Sequence, residues 1–494
     1  MPHRIPIWGL LILLGTVLHV AHAAKPLNVL FIAVDDLRPE LGCYGHPVVQ
    51  TPHIDRLAAS GTVFTSAYCQ QAVCNPTRAS LMTGLRPETL KVFDLTTHFR
   101  DAMPEAVTIA EHFRNHGYHS ERVGKIFHTG HGNRDDAQSW SRQKKYPWKP
   151  RYGPIAQRHL NELRDAARAK GLDLSKRKNQ PRGVPWEAPE VDDADLTDGA
   201  TAAAAIRILE EVQDRPFFVA VGFVNPHLPF VAPKKYWDLY SPDQIQLAEH
   251  REHPAGAPSY APTNWGELRQ YAGIPKRGPL SAEQERSMVH GYWAATSYVD
   301  ALVGQLLDTL DRLQLRERTV VILWGDHGWQ LGEHGLWCKH TNYEVATRVP
   351  LIISVPGTAS PGAKSPALVE FVDIFPSLCE ACDLPTPEGL EGLSFLPLVE
   401  EPTRPWKSAA FHLYPRTIPG HGRGMGRAIR TATHRLVEWK ANKDGYVEYE
   451  LYDYVTDPLE SMNVANDARY ASIRARLIEQ LHAGPDAALP DAPE

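Results

Sequence analysis

Cysteine and surplus positive charge are both scarce in this chain. Six cysteines spread over 494 residues do not form a disulfide scaffold. Lysine and arginine number 52 against 58 aspartates and glutamates, a formal net charge of −6. That balance excludes a general nucleic-acid or anionic-membrane surface, so an anionic ligand must be met by a local cluster of Lys, Arg and His. The one long apolar run, residues 5–18, is short for a bilayer span at about 14 residues. No internal repeat or low-complexity tract is present, which argues against a repeat array.

What is there suits a folded protein with one large core and a smaller one, since 43% of the residues are hydrophobic. Arg4 before the apolar run and Ala21-His22-Ala23 after it have the form of a signal peptide over residues 1–23, with a mature chain starting near Ala24. The expectation is therefore export, to a periplasmic or extracellular location or to the lysosome in a eukaryote, with no stable membrane insertion of the mature chain. Residues 28–34 form a continuous apolar run that ends in two aspartates, as a buried parallel strand would where its C-terminal end opens onto a site. Similar runs occur at 216–224, 319–324 and 350–355. Helical patterns lie between them at 53–60, 106–115, 197–212 and 282–313, the first two closed by Gly61 and Gly117. The alternation predicts an α/β sandwich around a large mixed, mostly parallel sheet flanked by helices.

Residues 129–195 are rich in Pro, Gly, Arg and Lys with poor periodicity, and read as an insertion near a site entrance. From about Thr403 the pattern shortens to strand-like stretches at 408–413, 426–439 and 447–454, then a helix near 470–482. The expected organisation is a catalytic domain over 24–402 and a smaller C-terminal α+β subdomain with an antiparallel sheet over 403–494. Cys379-Glu380-Ala381-Cys382 has redox spacing but falls on an amphipathic helix near 371–384, so buried core thiols are the better reading.

The most informative stretch runs from Cys74 to Gly84. Pro76 is tolerated in a first helical turn, which puts Cys74 at the mouth of a helix and Arg78 on its face one turn later. A thiol near an arginine and the positive end of a helix is suited to anions. Asp35-Asp36 and Asp326-His327 each follow a predicted strand. Three carboxylates meeting at one sheet edge would repel one another without a cation, so a metal is implied, and oxygen-rich ligation suits calcium or magnesium better than zinc.

Cys74-x-Pro76-x-Arg78 followed by Thr83-Gly84 closely resembles the signature of the type I, formylglycine-dependent sulfatases. Within that family the likeness leans to the iduronate-2-sulfatase branch. Further matching runs are Val34-Asp35-Asp36-Leu37-Arg38-Pro39, Val123-Gly124-Lys125-Ile126-Phe127-His128, Pro226-His227-Leu228-Pro229-Phe230 and Asp326-His327-Gly328-Trp329-Gln330. The resemblance implies an alkaline-phosphatase-like fold and a Cys74 oxidised to formylglycine by a formylglycine-generating enzyme during maturation. It implies one calcium per chain held by Asp35, Asp36, Asp326, His327 and the modified Cys74. It gives Arg78 and Lys125 the role of holding the aldehyde hydrate, Lys125 and Lys339 that of contacting sulfate, and His128 and His227 that of proton transfer. His131, His334 and His340 would support the site or face solvent. With Cys74 consumed, five cysteines remain, so at least one is unpaired in a monomer.

One position departs from the branch. Asn225 stands where a lysine is expected before Pro226-His227, which removes a positive charge and weakens the case for a uronate carboxylate. The sequence reading is sulfate-ester hydrolysis on a sulfated glycan, with 2-O-sulfated uronic acid at a chain end as the expected substrate. Arg416, Arg423 and Arg427 are the candidate carboxylate contacts. The alternatives are a phosphatase or phosphodiesterase of the same superfamily, and a glycan-binding protein that keeps the fold without activity.

Overall fold

The computed structural model describes residues 26–147 and 149–490. The expected signal peptide at 1–23 lies outside the described residues. Asn28–Val34 is strand β1, buried along its whole length. Its Val29, Phe31 and Ala33 enter one apolar layer, while Leu30, Ile32 and Val34 enter the other. Both faces of the sheet are covered, which is why the sequence shows a continuous run in place of alternation. The other strands of the large sheet are β2 (Thr62–Tyr68), β3 (His119–Gly124), β4 (Phe217–Phe223), β5 (Thr319–Gly325), β6 (Arg348–Ser354) and β7 (Ala363–Glu370). Their order across the seven-stranded sheet is β7-β2-β6-β5-β1-β4-β3.

Helices cover the two faces. α1 (Pro52–Ala59), α5 (Thr197–Val212) and α6 (Ala282–Arg312) pack on one side. α2 (Cys74–Thr83), α3 (Ile109–Asn115) and α7 (Ile374–Ala381) pack on the other. α4 (Pro154–Ala169) lies inside the segment read as irregular, and docks Ala156 and Leu160 against the layer that Leu30, Ile32 and Val34 enter. Alanines supply much of its buried face, so the periodic contrast in sequence is weak.

The expectation of a parallel strand near 350–355 needs correction. β6 runs antiparallel to both of its neighbours, β2 and β5. After β5 the chain stays at the same sheet edge through residues 326–347, with a small ladder of Gln330–Leu331 and Trp337–Cys338. It then re-enters the sheet from that edge, which a parallel crossover could not do. β2, β3 and β7 were not foreseen either. β3 and β7 are the two edge strands and carry polar residues, and β7 contains Pro366 beside a register shift, as an edge tolerates.

The C-terminal sheet is antiparallel, built from β8 (Ala410–Ile418), β9 (Gly422–Arg430), β10 (His434–Ala441) and β11 (Val447–Asp453) in that order. The single strand expected at 426–439 is in fact the end of β9 and most of β10, joined by a turn in which the Thr431 N–H donates to the His434 carbonyl at 2.9 Å. α8 (Ala471–Ala483) covers one face through Leu477 and Leu481. The two sheets are tied by buried charge. Glu344 pairs with Arg430 at 3.0 Å and Arg435 at 2.6 Å, and Glu370 binds Arg86, Lys407 and the Phe411 N–H.

Candidate active site

Neighbouring strands deliver their ends to one place. The Asp35 N–H donates to the Phe223 carbonyl and the Asp326 N–H to the Val34 carbonyl, both at 3.2 Å, so the sheet ladder carries these aspartates past the strand ends in register. Asp36 adopts a left-handed φ of 59°, and its N–H donates to Asp326 Oδ1 at 2.9 Å. Lys125 follows β3 at the same edge, its N–H bound to the Gly222 carbonyl at 2.9 Å. A Cβ at position 222 would lie 2.1 Å from the Lys125 carbonyl oxygen, so only glycine permits this approach. These are the carboxyl ends of parallel strands, where α/β sheets bind ligands.

Cys74 is the first residue of α2, with Val73 extended as its cap, and Arg78 follows one turn later, fully buried. The Arg78 guanidinium donates to Asp326 Oδ2 at 2.8 Å, Asp35 Oδ1 at 3.1 Å, the Lys125 carbonyl at 2.5 Å and the Ile126 carbonyl at 2.9 Å. It therefore fixes two carboxylates and the β3 turn in one fork. The Cys74 thiol lies 3.3 Å from His327 Nε2 and 3.5 Å from Lys125 Nζ. Lys125 also pairs with Asp35 Oδ2. Lys339 reaches Asp36 at 3.0 Å and Glu267 at 3.0 Å, and His227 Nε2 lies 3.0 Å from Glu267.

Burial and charge compete at each group. Burial alone would raise the Asp35 carboxyl, yet Lys125, His227 and Arg78 hold it well below the usual carboxylate range. Asp36 goes the other way: burial lifts it to about 7 against the pull of Lys339 and His327. Burial, reinforced by Asp35, pushes the Cys74 thiol well above its ordinary value, so it stays protonated. Burial and the adjacent Lys125 push His128 down to about 3, leaving it neutral near pH 7. His227 is also lowered, by burial and Lys339 against Glu267.

The ligand atoms of Asp35, Asp36, Cys74 and His327 all lie within 4.8 Å of one another. His327 Nδ1 is 3.1 Å from the Gly328 carbonyl, which can only accept, so Nδ1 carries a proton. Its Nε2 lies 3.4 Å from Asp36 Oδ1 and 3.6 Å from Asp326 Oδ2. Two carboxylates, an imidazole nitrogen and a sulfur converging in one buried place are a donor set that fits a divalent cation, and the carboxylates favour a hard ion. Asp326 stands apart from the four-residue group, its oxygens taken by Arg78 and by the N–H groups of Asp36 and His327.

A cavity of about 410 Å³ opens over the thiol. Cys74, Lys125, His128, His227 and Lys339 all line it, whereas Arg78 lies behind the wall. Arg182 and Glu267 line it too, and the sequence did not single them out. Both sit in loops without a motif, and only the tertiary fold brings them here. Arg416, Arg423 and Arg427 do not line it. Arg416 spends its guanidinium on the carbonyls of Tyr260, Ala261 and His340, and Arg427 pairs with Glu88 at 2.8 Å. Asn225 is also away from the cavity, donating to the Val231 carbonyl at 3.2 Å while its N–H binds Asp198. His334 Nε2 donates to the Leu459 carbonyl at 2.9 Å in the interior, and His340 lines the cavity. All six cysteines are free, Cys379 and Cys382 as buried thiols.

Acidic, imidazole and thiol groups gathered at the strand ends of a mixed sheet, behind a basic cavity, define an ester hydrolase of the alkaline-phosphatase-like fold with a group that could hold a metal ion. The sulfatase family model matches residues 27–384, and the model of the N-sulphoglucosamine sulphohydrolase C-terminal region matches residues 332–485. The chain is 34% identical to iduronate 2-sulfatase of Homo sapiens across 92% of this chain and 94% of that protein. Among solved structures, a protein in complex with its substrate D-glucosamine-2-N,6-O-disulfate matches with a TM-score of 0.72 at 20% identity, over 94% of this chain and 98% of the other. The phosphonate monoester hydrolase of Agrobacterium radiobacter matches with a TM-score of 0.69 at 23% identity, over 92% and 95%. These two structures establish the fold. The chain belongs to the sulfatase family and is a sulfuric ester hydrolase.

Proposed function

We propose that this enzyme removes sulfate from a sulfated glycan, acting on 2-O-sulfated uronic acid at a chain end, with Cys74 oxidised to formylglycine and one calcium at the carboxylate cluster. The observation that carries the reading is the Cys74 thiol at the floor of a basic cavity, held protonated by its surroundings. A protonated thiol is a poor nucleophile. As an aldehyde hydrate, formylglycine supplies an oxygen nucleophile and a second hydroxyl, neither of which a thiol has. A calcium ion would supply positive charge to that oxygen and to the sulfate.

The chain's own residues have separable tasks. Arg78 holds Asp35 and Asp326 in place and helps to keep Asp35 ionised. Lys125, paired with Asp35, and Lys339, paired with Asp36, both line the cavity and take up charge that develops on the sulfate oxygens. His227 has Nδ1 donating to the Leu228 carbonyl at 2.7 Å, so Nε2 can hand a proton to the departing sugar oxygen only from the imidazolium, the form that Glu267 at 3.0 Å favours. His128, neutral near pH 7, is suited to accept one. Arg182 is the cation available to a uronate carboxylate, in place of the arginines of the C-terminal sheet. A cavity near 410 Å³ is in the range of small-ligand sites and suits one terminal sugar. Cys74 is 3% exposed in the finished fold, so a formylglycine-generating enzyme must act before α2 is packed. Export follows from the expected signal peptide, and no helix among the described residues is long and apolar enough to cross a membrane.

The test is sulfate release from a panel of defined sulfated disaccharides, run beside phosphate monoesters. Fastest release from a terminal 2-O-sulfated uronate is expected. Activity confined to sulfated hexosamines, or to galactose units without a carboxylate, overturns the uronate assignment. A preference for phosphate esters overturns the sulfate assignment, and glycan binding without turnover by a fully converted preparation favours the non-catalytic alternative.

A further inference from the structure

A second cavity of about 800 Å³ adjoins the catalytic one and shares Gly130, His131 and Arg182 with it. Its wall carries Arg151, Arg164 and Arg182 but no aspartate or glutamate. That is unexpected in a chain whose acidic residues outnumber its basic ones. Two of the arginines are positioned before any ligand arrives. Arg151 donates to the His227 carbonyl at 2.7 Å, and Arg182 donates to the Tyr271 hydroxyl at 3.2 Å with its guanidinium 5.2 Å from that ring. Arg164 projects from α4, whose nearby acidic residues are engaged elsewhere: Glu162 with His159 at 3.7 Å and Asp165 with Arg168 at 2.7 Å. One-signed charge in a cleft focuses the field and draws in ligands of the opposite sign.

We propose that this cleft is a second anion subsite, which holds the carboxylate or sulfate of the sugar next to the one whose ester is cleaved. The proposal rests on the glycan-sulfatase reading and extends it: the enzyme is built for anionic oligosaccharides and handles single sugars poorly. Planar guanidinium groups pair with carboxylate and sulfate alike, in two-pronged fashion. The insertion at 129–195 thus has a task, because it supplies every one of the three arginines and the glycine and histidine where the cavities join.

The experiment compares kcat/KM for sulfate release from a 2-O-sulfated uronate methyl glycoside and from a tetrasaccharide ending in the same sugar. Wild type, Arg164→Ala and Arg164→Lys are measured. Arg164→Ala should lower the tetrasaccharide-to-monosaccharide ratio by about tenfold, the order of one charged contact, chiefly through KM. Arg164→Lys should recover most of it. Carboxyl reduction or desulfation of the second sugar identifies which anion is held, since only the group in the cleft should abolish the advantage when removed. A ratio within about twofold of wild type for Arg164→Ala, or an advantage that survives removal of both anions, overturns the subsite. A wild-type enzyme that releases no sulfate from either substrate instead overturns the function on which it rests.

Discussion

Replacing Arg78 gives the sharpest energetic test of the site, because its side chain has no access to solvent and every donor it uses is accounted for. The guanidinium bonds Asp326, Asp35 and the carbonyls of Lys125 and Ile126. Arg78→Ala takes one charged partner from each of two buried carboxylates, Asp326 and Asp35, a loss of roughly 3–5 kcal/mol when one member of a buried pair is removed. Folded proteins are stable by about 5–15 kcal/mol, so this is a large fraction of the whole. Arg78→Lys keeps the charge but cannot span the fork, and each orphaned carbonyl costs about 1–3 kcal/mol. The predicted order of urea midpoints is wild type, then Lys, then Ala, with metal affinity falling in the same order. The Arg78 guanidinium lies 5.4 Å from the Trp324 ring, so tryptophan emission reports on the site during unfolding. A midpoint for Arg78→Ala equal to wild type, or a lysine variant weaker than alanine, would refute the reasoning.

Further outcomes follow from the same contacts. Lys339→Ala should lower kcat/KM for a sulfate ester by about a hundredfold, roughly 3 kcal/mol of lost transition-state stabilisation, and unchanged kinetics would remove Lys339 from the site. Chelator treatment should abolish turnover and lower the melting temperature, both restored by calcium. Metal analysis that finds two zinc ions per chain would contradict the single hard-cation site. His412, buried on β8, is pushed down to about 3 by desolvation and by Arg435, so below about pH 6.5 the unfolded chain binds a proton that the folded chain refuses. Its contribution to stability is present above pH 6.5 and is lost as pH falls toward 3, by about 1.4 kcal/mol per pH unit. His412→Asn should flatten the acid limb of the unfolding midpoint by that slope, and an unchanged limb would place the titrating groups elsewhere.

Much of this site is written locally. β1 and β5 are legible because both faces are covered, and their aspartates mark where each strand ends. The Cys74–Gly84 stretch is legible because helix entry, Pro76 and the i+4 spacing of Arg78 are all short-range facts. The direction of β6 is not, since a strand buried on both faces reads the same either way. α4 hides behind small alanines. Arg182 and Glu267 reach the cavity from loops with no pattern of their own, whereas Arg416 on β8 is drawn off by carbonyls and Arg427 on β9 by Glu88. Asn225, read as a lost charge in the pocket, is instead part of a buried turn.

The central claim is that an oxidised Cys74 carries the reaction, and peptide mass analysis of the active enzyme from its native host tests it most directly. The account predicts that the peptide spanning Cys74 has the mass of an aldehyde in place of a thiol, reacts with a hydrazide, and increases in proportion to specific activity across preparations. A fully active preparation in which that peptide carries only unmodified thiol would contradict it.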